Sequence, residues 1–222
     1  MEYAYLNTTK KAILGFMAFF NAVEVSSYND NGEPTSTQIV PIIFGAREKA
    51  FDRLNNFMEY NGGDLNTTTV IVQTILPIMV IRNLSPAYDS TRQLNKNSTM
   101  KIMKNKTEQA VQKVPVAYNL SFDLYVKTKT FDDLMQIIEQ VIPYFSPSIN
   151  LNIKVIDGYA YNESFKYTLN SVAPILPEEK TLTEQAFFEA TLTFTIAMHY
   201  YRLPKKPTVI KNINIEVTEE VV

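Results

Sequence analysis

The clearest pattern in the sequence is an alternation of apolar and polar residues that begins at Val114 and leads into a helical repeat ending at Phe145. One apolar row takes every second position of its first half, which is the period of a strand with one buried face. The row comprises Val116, Tyr118, Leu120, Phe122, Leu124 and Val126, and the polar positions between include Asn119, Ser121, Asp123 and Lys127. This segment predicts a strand that packs one face on a core.

A helix is predicted directly after this strand. Thr130 suits the N-cap, and Asp132 and Asp133 follow in the first turn, where carboxylates favour the exposed N–H groups and the helix dipole. Apolar residues then recur at steps of three and four. They are Phe131, Leu134, Ile138, Val141 and Phe145. Pro143 and Pro147 predict the end of the helical region. Strand and helix are expected to pack on each other, because almost no loop separates them.

The N-terminal part of the chain predicts a helix and a hairpin. The helix is expected over residues 10–21, with Thr9 as N-cap and an apolar side. That side comprises Ile13, Phe16, Met17 and Phe20. Residues 23–44 predict a hairpin around the Asn29-Asp30-Asn31-Gly32 turn, with an apolar end at residues 39–44 that we expect to be buried.

Six further elements are predicted from similar patterns. A second helix is expected over residues 47–60, a strand over 78–83 and a turn over 85–89. Three more strands follow the central unit. Their alternating apolar positions are Ile149, Leu151, Ile153 and Val155, then Phe165, Tyr167 and Leu169, which end before Pro174 and Pro177, and last Phe188, Ala190, Leu192, Phe194, Ile196 and Met198. No regular strand–helix–strand repeat links them.

This order of elements predicts an α+β fold in a single domain, with a mostly antiparallel or mixed β-sheet flanked by about three helices. We expect the domain to cover residues 1–203 and a C-terminal extended arm to cover 204–222, because Pro204 and Pro207 interrupt the last strand. Within the arm, Ile213, Ile215 and Val217 alternate with polar residues. The arm is either an edge strand of its own sheet or a strand that adds to the sheet of a neighbouring subunit.

The stretch from residue 92 to 113 is locally basic. It contains Arg92, Lys96, Lys101, Lys104, Lys106 and Lys113, with Glu108 as its one acidic residue. Such a run is typical of a solvated hairpin or loop, and the alternative is a surface that meets acidic partners or passing nucleic acid. Direct nucleic-acid recognition is poorly supported, because no aromatic residues are interleaved and no binding motif is present.

Composition excludes several kinds of chemistry. The 222 residues carry a formal charge of −2, no cysteine and one histidine, His199. Disulfides, cysteine-based metal sites and metal sites built on several histidines are therefore excluded within one chain. No glycine-rich phosphate loop or nucleophile motif occurs. Asp132 and Asp133 lie about 100° apart on the predicted helix and would not converge on one substrate. No catalytic residues, cofactor or metal are predicted, and the chain is expected not to be an enzyme.

Five segments taken in order strongly resemble the tail sheath stabiliser and completion proteins (tail terminators) of T-even-type contractile-tailed bacteriophages. They are VPIIFGAREKAFDRL at 40–54, PIMVIRNLSPAYDSTRQLNK at 77–96, VPVAYNLSFDLYVKTKTFDDLMQIIEQVIPYFSPSINLNI at 114–153, YTLNSVAPI at 167–175 and TLTFTIAMHYY at 191–201. The blocks at 77–96 and 114–145 are the most specific. The resemblance covers most of residues 8–201.

This resemblance implies a structural virion protein. Members of that family form a hexameric ring that caps the tail tube and sheath and connects the tail to the head neck, around the channel through which DNA leaves. The expected partners are other copies of the chain, the sheath, the tube or tube-completion proteins and the neck or head-completion proteins. Phage DNA would pass without sequence-specific binding, and no membrane is expected.

The expected location is the head-proximal end of the virion tail, after assembly in the host cytoplasm. The candidate interface residues are Arg92, Lys96, Lys101, Lys104, Lys106, Ile213, Ile215 and Val217. Two alternatives stay open. One is another neck or tube ring component of a contractile tail, and the other is a monomeric binding module or enzyme.

Overall fold

Ten strands and two α-helices make up the part of the chain that the structure describes. The computed structural model describes residues 5–29, 31, 33–45, 76–103, 109–175 and 187–205. The elements in chain order are α1 (Thr8–Phe20), β1 (Glu24–Tyr28), β2 (Pro34–Ile39), β3 (Ile42–Phe44), β4 (Ile78–Tyr88), β5 (Thr99–Met103), β6 (Gln109–Lys113), β7 (Val116–Thr128), α2 (Phe131–Val141), β8 (Ser148–Lys154), β9 (Asn162–Ile175) and β10 (Phe188–Tyr200). A 3₁₀ turn, Ile142–Tyr144, extends α2. The helix predicted over residues 47–60 lies outside the described residues.

A six-stranded sheet organises the molecule, in the order β3-β4-β7-β10-β9-β8. Every neighbouring pair is antiparallel except β3 with β4. The central pair, β7 and β10, is the pair with the clearest alternation in the sequence, and its register runs without a break from Val116 opposite Tyr200 to Thr128 opposite Phe188. The expectation of a largely antiparallel sheet is confirmed.

Both helices pack on one face of this sheet and close the main core. Phe16 of α1 lies at its centre, with ring centroids 4.8 Å from Phe122 of β7 and 4.9 Å from Phe194 of β10. Leu134 of α2 is fully buried in the same cluster. Aromatic pairs in these edge-to-face arrangements contribute about 0.5–1.5 kcal/mol each beyond the area they bury. The predicted packing of the central strand on the following helix is therefore confirmed.

The prediction that Phe131 belongs to the buried apolar stripe of the helix is wrong. Phe131 is 44% exposed, and its ring meets Phe188 at the margin of the sheet, whereas Ile137 is fully buried. Phe131 stands at the first position of α2, so the turn that would direct its side chain toward the core has not yet begun.

The two predicted N-caps have different outcomes. The Thr130 side chain accepts a hydrogen bond from the N–H of Asp133, as predicted. The prediction for Thr9 is wrong, because α1 begins at Thr8, two residues earlier than predicted, and is preceded by Asn7. The Thr9 hydroxyl instead lies 2.9 Å from the Tyr200 hydroxyl and ties α1 to the end of β10.

Two strands run further than their sequences predict. β4 passes through a bulge, where Asn83 has a φ of 57°, and continues to Tyr88, so the turn predicted over residues 85–89 is wrong. β9 likewise continues through Pro174 to Ile175. Both prolines are tolerated because each strand lies at an edge there: Pro86 pairs only with Leu120 of β7, and Pro174 only with Ala190 of β10.

The N-terminal hairpin is confirmed, but its apolar end is not uniformly buried. β1 and β2 pair with Glu24 opposite Ile39. Ile39 is 59% exposed and Val40 is 1% exposed. Pro41 then separates the hairpin from β3, which joins the main sheet parallel to β4. Residues 39–44 therefore belong to two different sheets, because the chain leaves the hairpin at Pro41 and enters the main sheet as β3. For this reason they do not form a single buried end of the hairpin.

The opposite face of the sheet carries a small second core. Tyr125 of β7 is 1% exposed there, beside Ile78 and Val80 of β4. The Arg82 guanidinium lies 4.5 Å from the centroid of the Tyr125 ring. The simple alternation of β7 assigned this face to polar residues, so the burial of Tyr125 was missed.

Candidate assembly interface

The basic stretch is built partly as a hairpin outside the main sheet. β5 and β6 pair with each other from Thr99 opposite Lys113 to Met103 opposite Gln109. Ile102 and Ala110 point into the main core, with exposures of 3% and 2%. Because side chains alternate along a strand, the neighbouring Lys101 is exposed on the outer face. The described part of residues 92–113 therefore contains a hairpin with one exposed face, and whether that face meets only solvent or a partner stays a prediction.

Arg92 serves a local structural purpose. Its Nε donates to Asp89 Oδ2 at 2.7 Å, and a terminal nitrogen donates to Tyr118 O at 2.9 Å and Asn119 Oδ1 at 2.8 Å. The Thr91 hydroxyl and the Arg92 guanidinium hold the pKa of the Asp89 carboxyl well below its ordinary value. Arg92 therefore fastens the segment after β4 to β7, and little of its charge is offered to a partner.

The other predicted basic residues fall into two groups. Lys96 and Lys101 are exposed, and no hydrogen bond or ion pair engages either side chain among the described residues. Lys104 and Lys106 lie outside the described residues. The structure thus brings Lys101 onto the outer face of the hairpin and separates it in role from Arg92.

The start of the predicted arm is held by this hairpin. Lys205 forms an antiparallel bridge with Val111 of β6, in which each N–H donates to the other residue's C=O, at 2.9 and 3.0 Å. The Gln112 amide donates to Arg202 O at 2.8 Å beside it. The predicted arm residues Ile213, Ile215 and Val217 lie outside the described residues. Sequence alternation could not have located this bridge, because it depends on one backbone pair.

The strand edges differ in whether other described residues bind their backbone N–H and C=O groups. Gln136 and Gln140 of α2 bind the backbone N–H and C=O groups of Ser26 and Glu24, so the outer edge of β1 is occupied. β2 has both faces exposed along its length. β8 forms the far edge of the six-stranded sheet. Open edges of this kind are where a further strand from another chain is able to pair.

The lone histidine belongs to a packed polar cluster at one end of the sheet. His199 Nδ1 hydrogen-bonds Glu163 Oε1, and the Tyr161 and Tyr201 hydroxyls lie 3.1 Å apart nearby. Burial, the bond to Tyr161 and the Glu163 charge raise the pKa of Tyr201 above its ordinary value. Glu163 is 8% exposed. The bond to a largely buried carboxylate indicates that His199 has a packing role.

Among the described residues, no group of three or more His, Cys, Asp or Glu residues is placed to hold a metal ion. A groove of about 550 Å³ lies where α1 and α2 end, and it is lined mainly by apolar side chains such as Phe19, Val141 and Tyr144. Neither described α-helix is long and apolar enough to cross a membrane.

Comparison with known proteins identifies the family. A family model described as "T4-like virus Myoviridae tail sheath stabiliser" matches residues 3–221, which is nearly the whole chain. The chain belongs to this family. The resemblance noted from the sequence is thereby confirmed, and the tail sheath stabiliser family is one of structural phage tail proteins, not enzymes.

One curated relative of the family supports the same assignment. The chain is 28% identical over 111 residues to "Tail completion protein gp15" of Enterobacteria phage T4. The matched segment covers 50% of this chain and 40% of the relative. The tail sheath stabiliser therefore shares about half of its length with a protein named for completing a tail.

Proposed function

We propose that this tail sheath stabiliser is a tail terminator, which assembles as a hexameric ring, caps the tail tube and sheath, and connects the tail to the head neck. The observation that carries the proposal is the family match over residues 3–221. The relative's name, a tail completion protein, agrees with a role at the end of tail assembly. Its location would be the head-proximal end of the virion tail, after assembly in the host cytoplasm.

The described surface suits repeated protein contacts. A closed ring of identical subunits uses heterologous contacts, in which two different patches of each subunit meet. The fold offers different edges for this purpose, namely the exposed ribbon strand β2 and the sheet edge β8. Such edges support pairing with other copies, with the sheath or with the tube and neck proteins.

The decisive experiment measures the mass of the purified protein, alone and after mixing with isolated contractile tails that lack their terminator. We expect either a hexamer or a monomer that becomes a sixfold ring at the head-proximal tail end. A stable monomer that ignores tails would overturn the proposal and favour a monomeric binding module. A ring found elsewhere on the particle by electron microscopy would favour another neck or tube component.

The division into a domain at 1–203 and an arm at 204–222 carries its own proposal, that the arm contacts the sheath or an adjacent terminator subunit. Because Lys205 is bridged to Val111, deletion of residues 206–222 removes all of the arm beyond that bridge and keeps the bridge itself. The shortened protein should fold with an unchanged melting temperature and fail to hold the sheath in its extended state. Tails of unaltered stability would contradict this proposal.

The basic residues are proposed to face the DNA channel or a seam between subunits. The triple variant Lys101→Glu, Lys104→Glu and Lys106→Glu should impair ring formation or DNA passage, measured by electron microscopy and by infectivity of reconstituted particles. A control with the same change of charge reverses the exposed Lys10, Lys129 and Lys166. Equal behaviour of the two triple variants would count against the placement.

A further inference from the structure

The outer edge of β8 is unpaired within the described part of the chain. β8 spans Ser148–Lys154 and pairs with β9 on its inner side only. The N–H of Leu169 donates to Pro147 O at 3.3 Å, so odd-numbered residues direct their backbone groups toward β9. Asn150 and Asn152 therefore direct their N–H and C=O groups outward, and no described residue hydrogen-bonds to them.

The side chains of β8 alternate as well. Ile149, Leu151 and Ile153 are half-buried on the helix side of the sheet, while Asn150 and Asn152 are exposed. A seven-residue edge with a half-buried apolar row is a template for another strand, and natural proteins seldom leave such an edge without protection. A strand added here would continue the sheet and cover the apolar row.

The chain contains a second copy of this pattern. Residues 150–155 read Asn-Leu-Asn-Ile-Lys-Val, and residues 212–217 of the arm read Asn-Ile-Asn-Ile-Glu-Val. Four of the six positions are identical, the second is apolar in both, and the fifth exchanges Lys154 for Glu216. A strand with this sequence that runs parallel to β8 in the matching register would place its apolar row beside that of β8, its asparagines beside the exposed asparagines, and Glu216 near Lys154.

We propose that residues 212–217 of one subunit add as a strand to the outer edge of β8 in the adjacent subunit of the ring. This inference rests on the proposed ring and names the two surfaces that join its subunits. Backbone hydrogen bonds would supply the contact, and the matched alternation would fix the register.

The starting point of the arm favours a neighbouring subunit over the arm's own β8. Lys205 bridges Val111 on one edge of β6, and β5 lies on the other edge. Met103 O of β5 accepts a hydrogen bond from the N–H of Ala160, in the loop that follows β8. Lys205, the last described residue before the rest of the arm, therefore lies on the edge of the hairpin opposite to the one that contacts the β8–β9 loop of its own subunit.

A disulfide test is clean because the chain has no cysteine of its own. In the parallel register that places Glu216 beside Lys154, Asn152 and Asn214 lie opposite each other near the middle of the two segments. Protein carrying N152C is mixed with differently tagged protein carrying N214C and oxidised under conditions in which the ring forms. We expect a disulfide-linked heterodimer, with each single variant alone as control.

The double variant N152C/N214C separates the possible arrangements. A ladder of linked species up to the hexamer on a non-reducing gel supports the proposal. Closure within one chain, seen as a faster monomer band, overturns it, because the arm then covers its own β8. No link in a protein that is still hexameric overturns this inference and leaves the proposed function standing. A monomer that does not bind tails removes both.

Exchange of the two charges gives an independent readout. The single variants E216K and K154E should each weaken subunit association at least severalfold, since each places like charges along the shared edge. The double variant E216K/K154E should recover most of that loss. The control pairs E216K with K166E, which reverses an exposed lysine on β9, and should recover nothing. Equal recovery in both double variants would overturn the proposed pairing.

Discussion

Gln136 of α2 binds both backbone polar groups of Ser26 in β1: its Oε1 accepts the N–H at 3.0 Å, and its Nε2 donates to the C=O at 3.0 Å. Gln140 repeats the arrangement on Glu24, one helical turn further along. Four residues of helix advance about 6 Å, close to the rise of two strand residues, so the side of the helix matches the edge of a strand.

The glutamine contacts predict a specific loss of stability. The variant Gln136→Met keeps most of the side-chain volume and removes the amide, so two backbone groups of Ser26 lose their partner. We expect the free energy of unfolding to fall by about 1–3 kcal/mol in urea titrations. The matched control Gln38→Met changes an exposed residue of β2 and should leave it within about 0.5 kcal/mol. Equal losses in both variants would contradict this account of the β1 edge.

Only part of the fold could be predicted from the sequence. β7, β10 and α2 were predicted because their apolar residues repeat with a local period that needs no knowledge of neighbours. The continuation of β4 through Pro86 depends on which strands flank it, and that is a property of the assembled sheet. The burial of Tyr125 likewise depends on a second small core that forms on the other face.

Prediction of the candidate interface was limited in the same way. A run of basic residues was visible in the sequence, but charge alone could not separate Arg92, which holds β4 to β7, from Lys101, which faces outward. The openness of β8 and the bridge between Lys205 and Val111 became visible only from backbone pairing. Lys104, Lys106, Ile213, Ile215 and Val217 lie outside the described residues, so their roles stay predictions.

Buried tyrosines predict a loss of stability at alkaline pH. Burial raises the pKa of Tyr167, and burial together with Tyr161 and Glu163 raises that of Tyr201, above the ordinary value of 10.0. A folded-state pKa above the unfolded value contributes stability below the unfolded pKa, which is lost as pH rises. We therefore expect the free energy of unfolding to fall as pH rises above about 10.

Tyrosine-to-phenylalanine variants test the source of this slope. Tyr201→Phe should flatten the decline in stability between about pH 9.5 and 11.5, because one of the groups that ionise only after unfolding is gone. Tyr144→Phe changes a residue that is 62% exposed and serves as the control for removal of a hydroxyl. The measurement is denaturant unfolding at several pH values. An unchanged slope in Tyr201→Phe would contradict the assignment.

Gly15 sets the close approach of α1 to β8. A Cβ at this position would lie 2.8 Å from Ile153 Cδ1, so an alanine there must displace the end of that side chain. Alanine also favours a helix interior over glycine by about 1 kcal/mol. The variant Ile153→Val removes the Cδ1 atom. Gly15→Ala should therefore stabilise the protein more in the Ile153→Val background than in the natural one, and additive effects in a double-mutant cycle would contradict the contact.

Substitution of Arg92 is predicted to lower the stability of the protein, whereas substitution of Lys101 is predicted to leave it almost unchanged. Arg92→Lys keeps the charge and loses the fork that binds Tyr118 O and Asn119 Oδ1, so stability should fall by about 1–2 kcal/mol. Lys101→Glu reverses an exposed charge and should change stability by less than about 0.5 kcal/mol. Thermal or urea unfolding of both variants provides the measurement.

The loss of stability in Arg92→Lys is predicted to depend on pH in the acid range. The folded-state pKa of Asp89 lies below its ordinary value of 3.8, through the Thr91 hydroxyl and then Arg92, so this carboxylate contributes stability above that value and loses it as pH falls further. The deficit of Arg92→Lys should therefore stay constant down to about pH 4 and shrink between about pH 4 and pH 2.5, because only the unfolded natural protein takes up a proton at Asp89 there and the variant has less of this stabilisation to lose. A deficit that is constant across this range would show that Arg92 acts through Tyr118 and Asn119 alone.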